Sequence, residues 1–173
     1  MRGVERSGRA LWITGLATFG LLAVLGAIDG QLRDSGGPGI IPFQLEFTSE
    51  NARETLALWG AAGRDDAVLS LWVDYPFLVA YAAFYSLAIA KLCAALGWRR
   101  WEFLALLPLG AAVADAVENA ALLMAIGQNG DQPWPLIGGV FASAKWALIA
   151  PVPFFLVIAL VAWAVRRVNA DAR

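Results

Sequence analysis

Histidine is absent from this 173-residue chain, cysteine occurs once, and only 16% of the residues are charged. Without histidine the chain lacks the usual haem ligand, the commonest zinc ligand and the ordinary general base near neutral pH. No cofactor and no metal are therefore expected. The lone Cys93 cannot close an intramolecular disulfide, which excludes dithiol redox chemistry within the chain. The net charge is −1 and no Lys/Arg tract is present, so neither nucleic acid nor a polybasic lipid contact is expected.

Apolar residues, by contrast, make up 60% of the chain. They concentrate in four runs, about 11–28, 67–96, 103–126 and 136–165, and each meets the roughly 20 apolar residues that a membrane crossing requires. The fold expected is all-α: a four-helix transmembrane bundle forming one integral membrane domain over residues 1–173, with membrane lipid as its surroundings. Arg2, Arg6 and Arg9 before the first run also suit a signal peptide. That run is longer than a typical signal core and lacks a small-x-small cleavage site, so a retained helix is expected.

The basic residues orient the bundle. Arg2, Arg6 and Arg9 precede the first span, Lys91, Arg99 and Arg100 lie between the second and third, and Arg166, Arg167 and Arg173 follow the fourth. The segment Gln128–Pro135 has no Lys or Arg, and segment 29–66 carries three Arg against seven acids. The positive-inside rule then places both termini in the cytoplasm and makes 29–66 an external cap. Within that cap Ile41–Phe47 alternates weakly and is expected to run extended. Thr48 or Ser49 is expected to start a short helix that ends at Gly60 and lies on the bundle mouth through Leu56, Leu58 and Trp59. Asp65 and Asp66 are then expected to cap the second span.

The third span holds Asp115, Glu118 and Asn119, and the fourth holds Lys145. A charge at the middle of a bilayer costs about 2.5–3.5 kcal/mol on insertion scales, so these groups need one another. Counted inward from the external ends at about 1.5 Å per residue, Glu118 lies about 12 Å deep, Lys145 about 13 Å and Asp115 about 16 Å. On the second span Asp74 lies about 10 Å deep and shares a stripe with Tyr81 and Tyr85, whose hydroxyls are placed to extend the network. Two readings of Asp74 stay open: a member of this set, or a helix cap before Tyr75-Pro76. Three acids against one base leave two negative charges in excess, which calls for a proton on a carboxyl, or for a cation or basic ligand. Pro151 and Pro153 are expected to kink the fourth helix nearby. The small-residue stripe Ala112, Ala116 and Ala120 is expected to pack on the first helix.

Asp74-Tyr75…Tyr81, Asp115-x-x-Glu118-Asn119 and Lys145, with Pro42-Phe43…Trp59-Gly60 in the cap, resemble a group of small, uncharacterised four-span bacterial integral membrane proteins. The resemblance covers most of the chain and supports the architecture alone, with no activity attached; the expected location is a bacterial plasma membrane. Three functions follow from the residues: a structural or accessory protein whose polar cluster fixes helix register, which is the leading reading; a protein binding or acting on a small hydrophobic, lipid or isoprenoid-like ligand through an intramembrane carboxyl; and a proton-coupled carrier. A homo-oligomeric or membrane-complex partner fits the first of them.

Overall fold

The computed structural model describes residues 2–171, and side chains from residue 8 to residue 170. Arg173, and the side chains of Arg2 and Arg6, lie outside the described residues. Six α-helices follow one another: α1 (Arg2–Asp34), α2 (Ile40–Gln44), α3 (Ser49–Leu96), α4 (Leu107–Gly127), α5 (Trp134–Ile149) and α6 (Pro151–Asp171), with a 3-10 segment at Arg99–Leu106 before α4. No strand occurs among the described residues. Four helical stretches, Gly8–Asp34, Ser49–Leu96, Arg99–Gly127 and Trp134–Ala170, are long and apolar enough to cross a membrane. Their outward faces are bare hydrocarbon. Trp12 is 76% exposed, Leu16 71% and Phe154 72%, a surface that suits lipid and not water.

Packing order decides where a site can form. α1 lies along α3, α3 along α4, and α4 along α5, while α1 and α5 make no extended contact. Gly15 lets α1 approach the Phe84 ring, which an added Cβ would meet at 3.0 Å, and Phe19 meets the same ring edge-on at 5.7 Å. Thr14 and Thr18 donate their hydroxyls to the carbonyls of Ala10 and Thr14, both at 2.8 Å, so neither needs an outside partner. The alanine stripe of α4 does not pack on α1 as the sequence suggested. Ala112 and Ala116 pack against Leu78, Tyr81 and Tyr75 of α3, and Ala120 is exposed. Small residues mark a close-packing face but do not say which neighbour takes it.

Thr48 starts α3 by accepting from the Asn51 N–H at 3.3 Å. The helix breaks at Gly60, whose φ of 60° and ψ of −159° suit a residue without Cβ. The span resumes immediately after the break, earlier than residue 67. Asp65 and Asp66 therefore lie within the helix and are not its caps. Arg64 closes the break by donating Nε–H to the freed Leu56 carbonyl at 2.9 Å. At the other end Gly97 is left-handed, with φ 69°, and the Trp98 N–H returns to the Cys93 carbonyl at 2.9 Å, a Schellman-type stop.

Ile41–Phe47 is not extended. α2 occupies Ile40–Gln44, because Asp29 of α1 accepts the Ile40 N–H at 2.7 Å in place of a cap from Gly39. Leu56 and Trp59 are buried with Leu32, Phe43 and Leu71 in one core, whereas Leu58 points out. The cap is thus a continuation of the bundle core and does not merely rest on its mouth. Arg53 pairs with Asp131, and Gln132 donates Nε2–H to the Phe47 carbonyl at 3.0 Å, tying the cap to the α4–α5 connection. The fourth span is two helices meeting at Ala150–Pro151. Pro151 and Pro153 have no N–H to give the preceding turn.

One cap residue carries a pH prediction. Thr55 donates its hydroxyl to Glu46, whose other oxygen is buried without a partner. Burial raises the Glu46 carboxyl from 4.5 to about 7, with the Thr55 hydroxyl opposing and Glu54 assisting. A carboxyl raised on folding binds its proton more tightly when folded. Its stabilisation is fully present below about pH 4.5 and is lost as pH rises through about 7. Glu46→Gln is expected to flatten the fall in Tm between pH 5 and pH 8, and an unchanged slope would exclude Glu46 as its source.

Candidate functional site: a polar-floored cavity

Three helices supply the polar cluster. α4 contributes Asp115, Glu118 and Asn119 at i, i+3 and i+4, hence from one face. α5 brings Lys145 opposite them, and α3 brings Asp74 and Tyr81 from the side. Lys145 Nζ donates to Asp115 Oδ1 at 2.9 Å and to Glu118 Oε1 at 3.0 Å. It also approaches Glu118 Oε2 at 2.8 Å as an ion-pair contact. Tyr81 donates its hydroxyl to Asp115 Oδ2 at 3.1 Å, and Asn119 donates Nδ2–H to Asp74 Oδ2 at 2.7 Å. Glu118 and Asn119 are wholly buried, and Asp115 and Lys145 nearly so.

Asp74 is an interior residue of α3 and not a cap, because the helix began well before it. Pro76 sits within the helix, and the backbone of that stretch stays helical. Tyr85 stands apart from the hydrogen-bonded set. It makes no hydrogen bond among the described residues and packs its ring on Tyr81, centroids 6.4 Å apart. Glu118 lies behind the cluster, where its only polar contacts among the described residues are with Lys145.

In front of the cluster is a cavity of about 350 Å³. Its floor is Asp74, Tyr81, Asp115, Asn119 and Lys145, and its ceiling includes Gln44 of α2. Leu22, Leu25 and Gly26 of α1 line one side, and Trp146 and Ile149 of α5 the other. Since α1 and α5 do not close on each other, the cavity opens sideways between them, beneath α2. Half-exposed Leu22 and Trp146 flank the mouth. Its size falls within the range of small-molecule pockets, and so does its make-up of apolar walls with a few convergent polar groups.

Several of these residues escape a reading of the sequence alone. Phe77 lies one turn from Asp74 on the Tyr81 stripe, a signal present but unused. Trp146 lies deep for a membrane-belt aromatic, and it stands beside the cluster, its ring centroid 5.4 Å from Lys145 Nζ. Gln44 gives no sequence signal, because only the folding of α2 over the bundle brings it to the ceiling. No family model, curated protein or solved structure matches this chain, and function has to be read from the cavity itself.

Proposed function

We propose that this chain is a multi-pass membrane protein that binds a small amphiphile, with both termini cytoplasmic and the α2–α3 cap external. The cavity carries the reading: apolar walls, a polar floor and a mouth on the flank of the bundle suit a molecule arriving from the lipid phase. Orientation rests on Lys91, Arg99, Arg100, Arg166 and Arg167, which all belong to the end away from the cap. A purely structural lock accounts for Glu118 and Lys145, which need no cavity. It leaves unexplained why Asp74, Asp115 and Asn119 line an open space.

Gly26 supplies the test. It lines the cavity, and a Cβ built there meets nothing within 4 Å. A side chain at this position starts in open space, so Gly26→Phe is expected to fill the cavity with the fold kept, and replacing a mid-helix glycine favours the helix. Gly20→Phe is the control, equally unobstructed and outside the cavity lining. Native mass spectrometry of the purified protein is expected to show a bound amphiphile in the wild type and in Gly20→Phe, and its loss in Gly26→Phe with Tm unchanged or raised. An identical set of bound molecules in all three proteins would reject the proposal.

A further inference from the structure

The hydrogen-bonding inventory of the cavity is one-sided. Each donor side chain of the polar floor is engaged within it: Lys145 with Asp115 and Glu118, Tyr81 with Asp115, and the Asn119 amide with Asp74. The buried lining atoms left without a partner are acceptors. Asn119 Oδ1 is buried with no partner, and so is Gln44 Oε1, although both residues line the cavity. Asp74 forms no ion pair among the described residues; it accepts from Asn119 through one oxygen and lies beside the Asp115 carboxyl. A head group that donates several hydrogen bonds suits these buried acceptors.

Charge points the same way. Lys145 is shared by Asp115 and Glu118, so the floor beside Asp74 is short of positive charge. Phe77, Tyr81, Tyr85 and Trp146 turn aromatic surface to the same space, and ring faces attract an organic cation. No group of three His, Cys, Asp or Glu side chains is arranged to hold a metal ion among the described residues. From these observations we infer that the cavity takes an amphiphilic amine, its ammonium seated between Asp74, Asn119 Oδ1 and Gln44 Oε1. Its apolar tail runs past Leu22 and Leu25 to the opening between α1 and α5. This inference rests on the ligand-binding reading above and names the head group that reading leaves open.

The test uses the full-length protein in a neutral detergent, titrated with decylamine, decanol and decanoate, with KCl alone as a fourth arm, and Tm as readout. Decylamine is expected to raise the wild-type Tm in a saturable way, as a ligand bound to the folded state must. Decanol and decanoate are expected to do so much less, and Gly26→Phe to abolish the shift. Asp74→Asn keeps the shape but removes the unpaired charge, and is expected to weaken decylamine by about ten-fold or more. If Asp74→Asn does not fold, the wild-type contrast between amine and alcohol decides alone. Equal shifts by decanol and decylamine, undiminished amine affinity in Asp74→Asn, or an equal shift from KCl would each overturn the amine assignment. Amphiphile binding itself would survive the first two of these results. Failure of all three amphiphiles, with no bound molecule in the wild type, would sink the binding reading too.

Discussion

Lys145→Met is expected to destabilise the protein by about 3–5 kcal/mol, the loss that follows removal of one partner from a buried ion pair. The ammonium is shared by Asp115 and Glu118 at 2.9 and 2.8 Å, so its removal leaves two buried carboxyls facing each other without a counter-charge. Neutral hydrogen bonds between membrane helices are worth only about 0.6–2 kcal/mol, so the larger figure reflects stranded charge and not lost hydrogen bonds. The diagnostic is recovery. Adding Asp115→Asn and Glu118→Gln to Lys145→Met removes the charges while keeping the shapes, and is expected to restore more than half of the loss. Unfolding in mixed detergent measures all the variants. A Lys145→Met protein within about 1 kcal/mol of wild type would mean that the ammonium is dispensable to the bundle.

Trp59→Ala is the second large effect, about 3–5 kcal/mol by the usual cost of emptying a buried aromatic site. Trp59 is 2% exposed, packs on Phe43 with centroids 4.7 Å apart and donates Nε1–H to the Pro38 carbonyl at 2.7 Å. It holds segment 38–43 on the bundle, and α2, at five residues, cannot sustain a helix unaided. The variant is therefore expected to become sensitive to proteolysis between residues 35 and 48. It is also expected to lose bound amphiphile, because Gln44 and Ile41 leave the cavity ceiling. Trp59→Phe keeps the ring contact and loses the hydrogen bond, and about 1–2 kcal/mol is expected. A Trp59→Ala protein with wild-type proteolysis and a loss under about 1 kcal/mol would refute this account of the cap.

Much of the frame is legible in the sequence because membrane physics is severe. Four apolar runs have few alternatives to helices, and desolvation alone drives Lys145 toward the carboxyls of α4. Legibility fails where the outcome depends on which neighbour a face meets. The alanines of α4 announce a close contact, yet α3 takes it and α1 does not, and no local signal distinguishes the two. Asp74-Tyr75-Pro76 carries the composition of a helix start. Here the helix had already restarted after Gly60, and tertiary packing overrides the local preference. α2 was the hardest element to foresee, since a five-residue helix exists only because Asp29 and Trp59 hold it. With it went Gln44, and hence the ceiling of the cavity.

The gap between α1 and α5 has a consequence for how affinity is to be expressed. An amphiphile of the kind proposed above would enter by that gap from among acyl chains, so its reservoir would be two-dimensional. Occupancy then follows the guest's mole fraction in the surrounding bilayer. Adding plain phospholipid at fixed total guest will empty the chamber as effectively as dilution empties a water-facing one.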